Sequence, residues 1–191
     1  IVLVFIVFID TGMLGFFFIG GVVLLEKRQK VLDSIFVSPY RINEYIISKV
    51  LSLTLISLLS SLFIVIVTIG FAFNILVFFI VVVFLSFLFS ILGLGLVSYV
   101  KTINQYFLSS FIFIIIFIFP VLDYFNFYSS PLIYIFPTKS TLKLLSLSFE
   151  SFDLSVFLLN FTIIIIWSVI LFYLTRVIFF KKVITRIGEE N

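Results

Sequence analysis

The chain has 191 residues, 63% of them hydrophobic and 11% charged, with a mean hydropathy of +1.42; soluble domains carry charge on about a quarter of their residues, so this composition excludes a water-soluble globular protein. There is no cysteine and no histidine, which removes disulfides, thiol nucleophiles, imidazole or thiolate metal sites and histidine general-base chemistry together. Twelve basic and nine acidic residues leave a net charge of +3, which is distributed as a membrane-topology signal and needs no nucleic-acid partner.

Apolar stretches of about 20 residues alternate with short polar breaks, the pattern of an all-α, polytopic transmembrane bundle. Five spans are expected. The first runs from about Ile1 to Leu25 and contains Asp10-Thr11-Gly12. An aspartate in mid-span costs about 3 kcal/mol on insertion scales. Asp10 is therefore expected either near the outer interface in a structural role or on a translocation path. Gly12, Gly15, Gly20 and Gly21 predict a close approach by another helix.

Leu24 to Lys49 is the one long polar interval. Within it Val31, Leu32, Ile35 and Phe36 recur at helical spacing while the charged residues fall largely on other faces, which predicts a short amphipathic surface helix. Ser38-Pro39 ends it and is a start signal for the next helix. Glu26 and Lys30 stand one turn apart, a local pair worth about 0.3 kcal/mol.

The second span covers about Tyr45 to Ile69, with its helix starting as early as Pro39. Thr54, Ser57, Ser61 and Thr68 share one face, either as helix-packing contacts or as the lining of a path. The uncharged break at Phe71 to Asn74 predicts a tight antiparallel hairpin with the third span, Ile75 to Val97, whose Ser86, Ser90 and Gly93 form a small-residue seam facing the second. A polar turn at Lys101 to Gln105 leads to the fourth span, Phe107 to Phe119 and on towards Asp123, with Pro120 ending or kinking it. Asp123 to Asp153 is divided by Pro131 and Pro137. Its apolar piece Leu132 to Phe136 is too short to span, so an interfacial or re-entrant segment is expected, and Leu142, Leu145 and Phe149 follow helical spacing. The fifth span is Leu154 to Phe179.

Lysine and arginine set the orientation. Those of the Leu24 to Lys49 interval, Lys101, and Arg176 to Arg186 make ten on one side against Lys139 and Lys143 on the other. The long interval and the C-terminus are thus expected in the cytoplasm. No phosphate-cradling G-x-x-x-x-G-K-[ST] loop, G-x-S-x-G elbow, H-E-x-x-H motif or pair of intramembrane carboxylates occurs, and Gly93-Leu94-Gly95 reads as packing. No enzyme activity or cofactor is expected in this chain.

The order Glu26-Lys27-Arg28, then Leu32-Asp33, Val37-Ser38-Pro39, Glu44-Tyr45 and Lys49 resembles the cytoplasmic segment between the second and third spans of type-2 permeases of ATP-binding-cassette exporters. The later K-T-I-N, P-V-L-D-Y and P-L-I-Y-I-F-P-T stretches extend the resemblance, most closely to fluoroquinolone-export permeases, over nearly the whole chain. One departure is that Lys30-Val31 stands where the family often has a glycine before the Leu-acid pair.

The resemblance implies that residues 1–191 are a single type-2 permease domain missing its first span, with six spans expected in the intact chain. The start at Ile1, without Met and inside a hydrophobic run, fits that expectation. It further implies an amphipathic coupling helix that meets a separate ATPase subunit through Glu26, Lys27, Arg28, Leu32, Asp33, Ser38, Pro39 and Glu44. Asp10, Thr54, Ser57 and Ser61 are the candidates for a translocation path. The remaining partners are a second permease subunit and the bilayer of the cell membrane. The expected activity is outward movement of a hydrophobic or amphipathic compound, drug or lipid-like, by alternating access. The alternatives are an energy-independent carrier or structural membrane subunit and, less compatible with the absent histidine and cysteine, an enzyme acting on lipid.

Overall fold

The computed structural model describes residues 1–32, 42–125, 133 and 136–184. Among these, five helices are long and apolar enough to cross a membrane. They are α1 (Val2–Arg28), α2 (Ile42–Ile69), α3 (Ile75–Val97), α4 (Ile103–Tyr124) and α6 (Leu154–Phe179), with a short α5 (Pro137–Leu147) between the last two. Phe180–Ile184 continues α6 as a π-helical turn.

Side-chain caps explain several boundaries. The Asn74 carboxamide oxygen accepts the Val77 N–H at 3.2 Å and starts α3 where the polar break predicts. The Asp153 carboxylate likewise accepts from the N–H groups of Ser155 and Val156 and starts α6. α4 begins four residues earlier than Phe107, because the Thr102 hydroxyl caps it by accepting the Gln105 N–H at 3.3 Å. Pro120 does not end α4, which continues to Tyr124. α1 is longer than its apolar run and carries Glu26, Lys27 and Arg28 in its last turn.

α1 and α3 form the most extensive helix pair, and small residues make it possible. A methyl group on Gly93 would lie 2.7 Å from the Phe16 carbonyl oxygen, closer than packed atoms allow. Tyr106 of α4 reaches into this seam: its hydroxyl donates to the Phe16 carbonyl at 2.5 Å and its ring occupies the space a side chain on Gly20 would need. Gly21, by contrast, faces open space, with no atom of the described residues within 4 Å of where its Cβ would stand. The expected α3 seam divides. Ser86 meets α2, donating to the Ser57 hydroxyl at 3.2 Å, while Gly93 and Ser90 face α1.

α5 is 11 residues long, about 16 Å, and too short to cross a bilayer. Leu142, Leu144 and Leu145 are fully buried, as are Ser140 and Thr141, because α5 is tucked against α3, α4 and α6. Its end is tied to the α2–α3 turn by the Asn74 N–H, which donates to the Ser148 carbonyl at 2.7 Å. Of the expected interfacial piece, Ile133 is buried and Phe136 caps α5; Leu132, Tyr134 and Ile135 lie outside the described residues.

Candidate functional site

The end of α1 meets the start of α2 and the end of α6 in one cluster. Glu26 is half-buried there. One carboxylate oxygen accepts the Tyr45 hydroxyl at 2.7 Å, and the other pairs with the Lys49 ammonium. Tyr45 in turn stacks on Phe179, with ring centroids 5.6 Å apart and planes 28° from parallel, and both rings are buried. Lys49 also sits 5.6 Å from the centroid of the Tyr45 ring, at cation–π range. A carboxylate satisfied by one hydroxyl and one ammonium is a joint: moving α1 relative to α2 strands a charge in a partly dehydrated place.

This pairing displaces the expected local contact of Glu26 with Lys30. α1 stops at Arg28, Gln29 closes the helix with its N–H on the Leu25 carbonyl, and Lys30 turns the chain with φ of 55°. That left-handed conformation suits glycine. It falls at the position where the resembled permeases often carry one, so the departure noted in the sequence is a lysine doing a glycine's conformational task.

Of the other residues expected to face an ATPase, Leu32 is fully buried and so supplies an apolar anchor at the start of the interval. Lys27 is half-buried at the end of α1, Arg28 is exposed, and Glu44 is exposed in the first turn of α2. Asp33, Ser38 and Pro39 lie outside the described residues, as do Ile35 and Phe36. Of the segment expected to form the amphipathic coupling helix, only Val31 and Leu32 are among the described residues.

The opposite end of the bundle holds a second ion pair. Lys139 of α5 binds Asp123 of α4 at 2.7 Å, and the Tyr124 and Ser146 hydroxyls meet at 2.9 Å. Both pairs border a cavity of about 500 Å³ whose wall also carries Lys143, Glu150 and Asn160. The cavity presents both signs of charge.

The candidate path residues are not gathered into one site by these contacts. Thr54, Ser57 and Ser61 are buried in the bundle, with the Thr54 hydroxyl on the Val50 carbonyl and the Ser61 hydroxyl on the Ser57 carbonyl, and Thr68 is exposed. Together with the Ser57–Ser86 bond, this is how hydroxyls pack helices. Asp10 is half-buried in α1, and its buried Oδ2 has no hydrogen-bond partner among the described residues.

The long-range partners lie beyond sequence reasoning: Tyr45 reads as one aromatic of a motif and Phe179 as the end of a span, while Tyr106 falls between the expected polar turn and the fourth span with no role assigned to it. Their type was the available signal, since tyrosine near a span end has a ring to bury and a hydroxyl to satisfy.

The model of the fluoroquinolones export permease protein family matches residues 1–187. The fluoroquinolones export permease proteins of two Mycobacterium tuberculosis strains, CDC 1551 / Oshkosh and ATCC 25618 / H37Rv, are each 25% identical to this chain over 182 residues, covering 94% of it and 77% of the relative. No solved structure matches.

Proposed function

This chain belongs to the fluoroquinolones export permease protein family, and from that premise we propose that it is the membrane-spanning subunit of an ATP-binding-cassette exporter. It is a multi-pass membrane protein of the export-permease kind. In the proposed assembly ATP is hydrolysed on a separate ATP-binding chain, two permease subunits stand side by side in the cell membrane, and the spans alternate between inward and outward openings. The Glu26 end and the C-terminus face the cytoplasm, where lysine and arginine are concentrated. The cargo is a hydrophobic or amphipathic compound. The relatives' names make fluoroquinolones the first compounds to test.

The observation that carries the coupling role is the Glu26 joint. A partner pressing on the interval after α1 would move the end of α1, and through Glu26 the start of α2 must follow. The Tyr45–Phe179 stack passes the same displacement to α6. Glu26 is thus a positioning residue that keeps three spans moving together. Arg28, Glu44 and the interval holding Asp33, Ser38 and Pro39 supply the surface for the ATPase. Such a lever works only if its apolar side stays docked, a requirement that buried Leu32 fits.

The test is purification from membranes in mild detergent, identification of copurifying chains, and ATP turnover in a Glu26→Lys variant. An ATP-binding chain should copurify, and substrate-stimulated turnover should fall at least about tenfold in the variant at unchanged membrane level. If no nucleotide-binding chain appears under conditions that preserve a control exporter, the energy-independent carrier or structural subunit replaces this reading.

A further inference from the structure

The cations at the end of α6 are not used by the Glu26 joint, and they converge with a lysine from another segment. The Thr175 hydroxyl donates to the Ile91 carbonyl of α3 at 3.2 Å, anchoring the last turns of α6 against α3. Beyond this anchor the backbone widens into the π-helical turn that carries Lys181 and Lys182, a form often found where a helix is adapted to a site. Lys182 lies 5.7 Å from the centroid of the Tyr99 ring, in the turn after α3. Ser98, Tyr99, Lys101, Lys181 and Lys182 together line a cavity of about 290 Å³. A neighbouring cavity of about 340 Å³ shares Lys181 and adds Arg176, Tyr173, Val177, Phe180 and Ile42. No acidic side chain among the described residues lines either one.

We infer that this pair of cavities binds the phosphate headgroup of an anionic lipid. Lys101 and Lys182 of the first cavity and Arg176 of the second draw an anionic headgroup to this face, while Tyr99 and Tyr173 have the amphipathic character of residues at a membrane interface. The wall continues as apolar surface. Tyr173, Leu174, Ile170 and Val169 are all exposed along α6, so acyl chains have a face to lie on directly beyond the headgroup. That continuity favours a lipid over a soluble phosphate or an acidic protein segment, neither of which needs it. The inference rests on the orientation proposed above, which places these cations in the cytoplasmic leaflet.

The experiment uses the purified chain in neutral detergent, titrated separately with phosphatidylglycerol, phosphatidylcholine of the same acyl chains and inorganic phosphate, with bound lipid counted by native mass spectrometry. Phosphatidylglycerol should bind at least about tenfold more tightly than phosphatidylcholine, and its affinity should fall as salt rises. Each of Lys101→Gln and Lys182→Gln should weaken it about fivefold, whereas Lys182→Arg and Lys143→Gln, the latter at the opposite end, should leave it unchanged. Equal binding of the two lipids overturns the inference. So does inorganic phosphate displacing phosphatidylglycerol at comparable concentration, or retention in the Lys101→Gln/Lys182→Gln double variant. Anion binding that appears only with a copurified ATP-binding chain assigns the patch to that protein. The salt and lipid comparisons on the unaltered chain decide the matter even if a variant does not accumulate. Loss of lipid binding leaves the export reading standing, and absence of an ATPase leaves the lipid result standing.

Discussion

Both ends of the bundle hold a lysine–carboxylate pair between neighbouring helices, and by exposure alone they look alike: 25% and 17% for the side chains of Lys49 and Glu26, 20% and 14% for Lys139 and Asp123. Their surroundings separate them. Glu26 has a second bond to a buried tyrosine, which is stacked on a third helix, whereas Asp123–Lys139 borders a cavity of about 500 Å³ with Lys143 and Glu150 on the same wall. The weight of an ion pair depends on what else constrains its members and on how readily water replaces a lost partner. One pair is a joint between spans. The other is part of a polar lining.

The largest contrast should come from truncating the two acids. Glu26→Ala strands Lys49 and the Tyr45 hydroxyl, at an expected cost of about 2–3 kcal/mol in detergent unfolding, while Asp123→Ala, on the wall of a polar cavity large enough to admit water, should cost about 1 kcal/mol or less. Equal costs would erase the distinction between joint and lining. Next in size, double-mutant cycles should give a coupling of about 1–2 kcal/mol for Glu26→Gln with Lys49→Met, against under about 1 kcal/mol for Asp123→Asn with Lys139→Met. A larger value at the Asp123 end would reverse the assignment.

Smaller still is the turn that leads away from the joint. Lys30→Gly should stabilise the protein by about 0.5–1 kcal/mol, because glycine takes the left-handed conformation without the Cβ penalty. Destabilisation would show that the lysine side chain contributes more than its backbone costs. The smallest effect lies at the opposite end, where the Ser155 hydroxyl and then the Val156 and Ser155 N–H groups hold the exposed Asp153 carboxyl below the usual carboxylate range. Its contribution is complete at neutral pH and is lost as the pH falls below about 4 and through the lowered folded value. Asp153→Asn should flatten that acid-side decline while leaving neutral-pH stability nearly unchanged. An acid titration of unfolding that is identical in both proteins would remove the capping contribution.

The spans were legible because their signals are local. Ile75 to Val97 and Leu154 to Phe179 were bounded correctly, since Asn74 and Asp153 are strong capping residues placed directly before apolar runs. Thr102 is an equally good cap, yet it lies in a polar turn whose neighbours disguise the start of α4. The joint was less legible for a different reason. Glu26 stands 19 and 23 residues from its partners, and a helical pattern exposes neighbours at three and four residues only, which is why Lys30 looked like its natural partner. The hydroxyl face of α2 was recognised as a face, but whether it lines a path or packs a helix depends on α3, which supplies Ser86.

Tyr106 and Gly20 occupy one volume between them. Neither position can be understood as an independent choice: a larger residue at 20 requires a smaller one at 106, and an aromatic ring at 106 forbids anything but glycine at 20. In an alignment of the family the two columns should therefore change together, 86 positions apart in the chain, with glycine and a large aromatic ring exchanged for a bulky residue and a small one. A lineage that has made only half of that exchange should record its cost as an unstable protein.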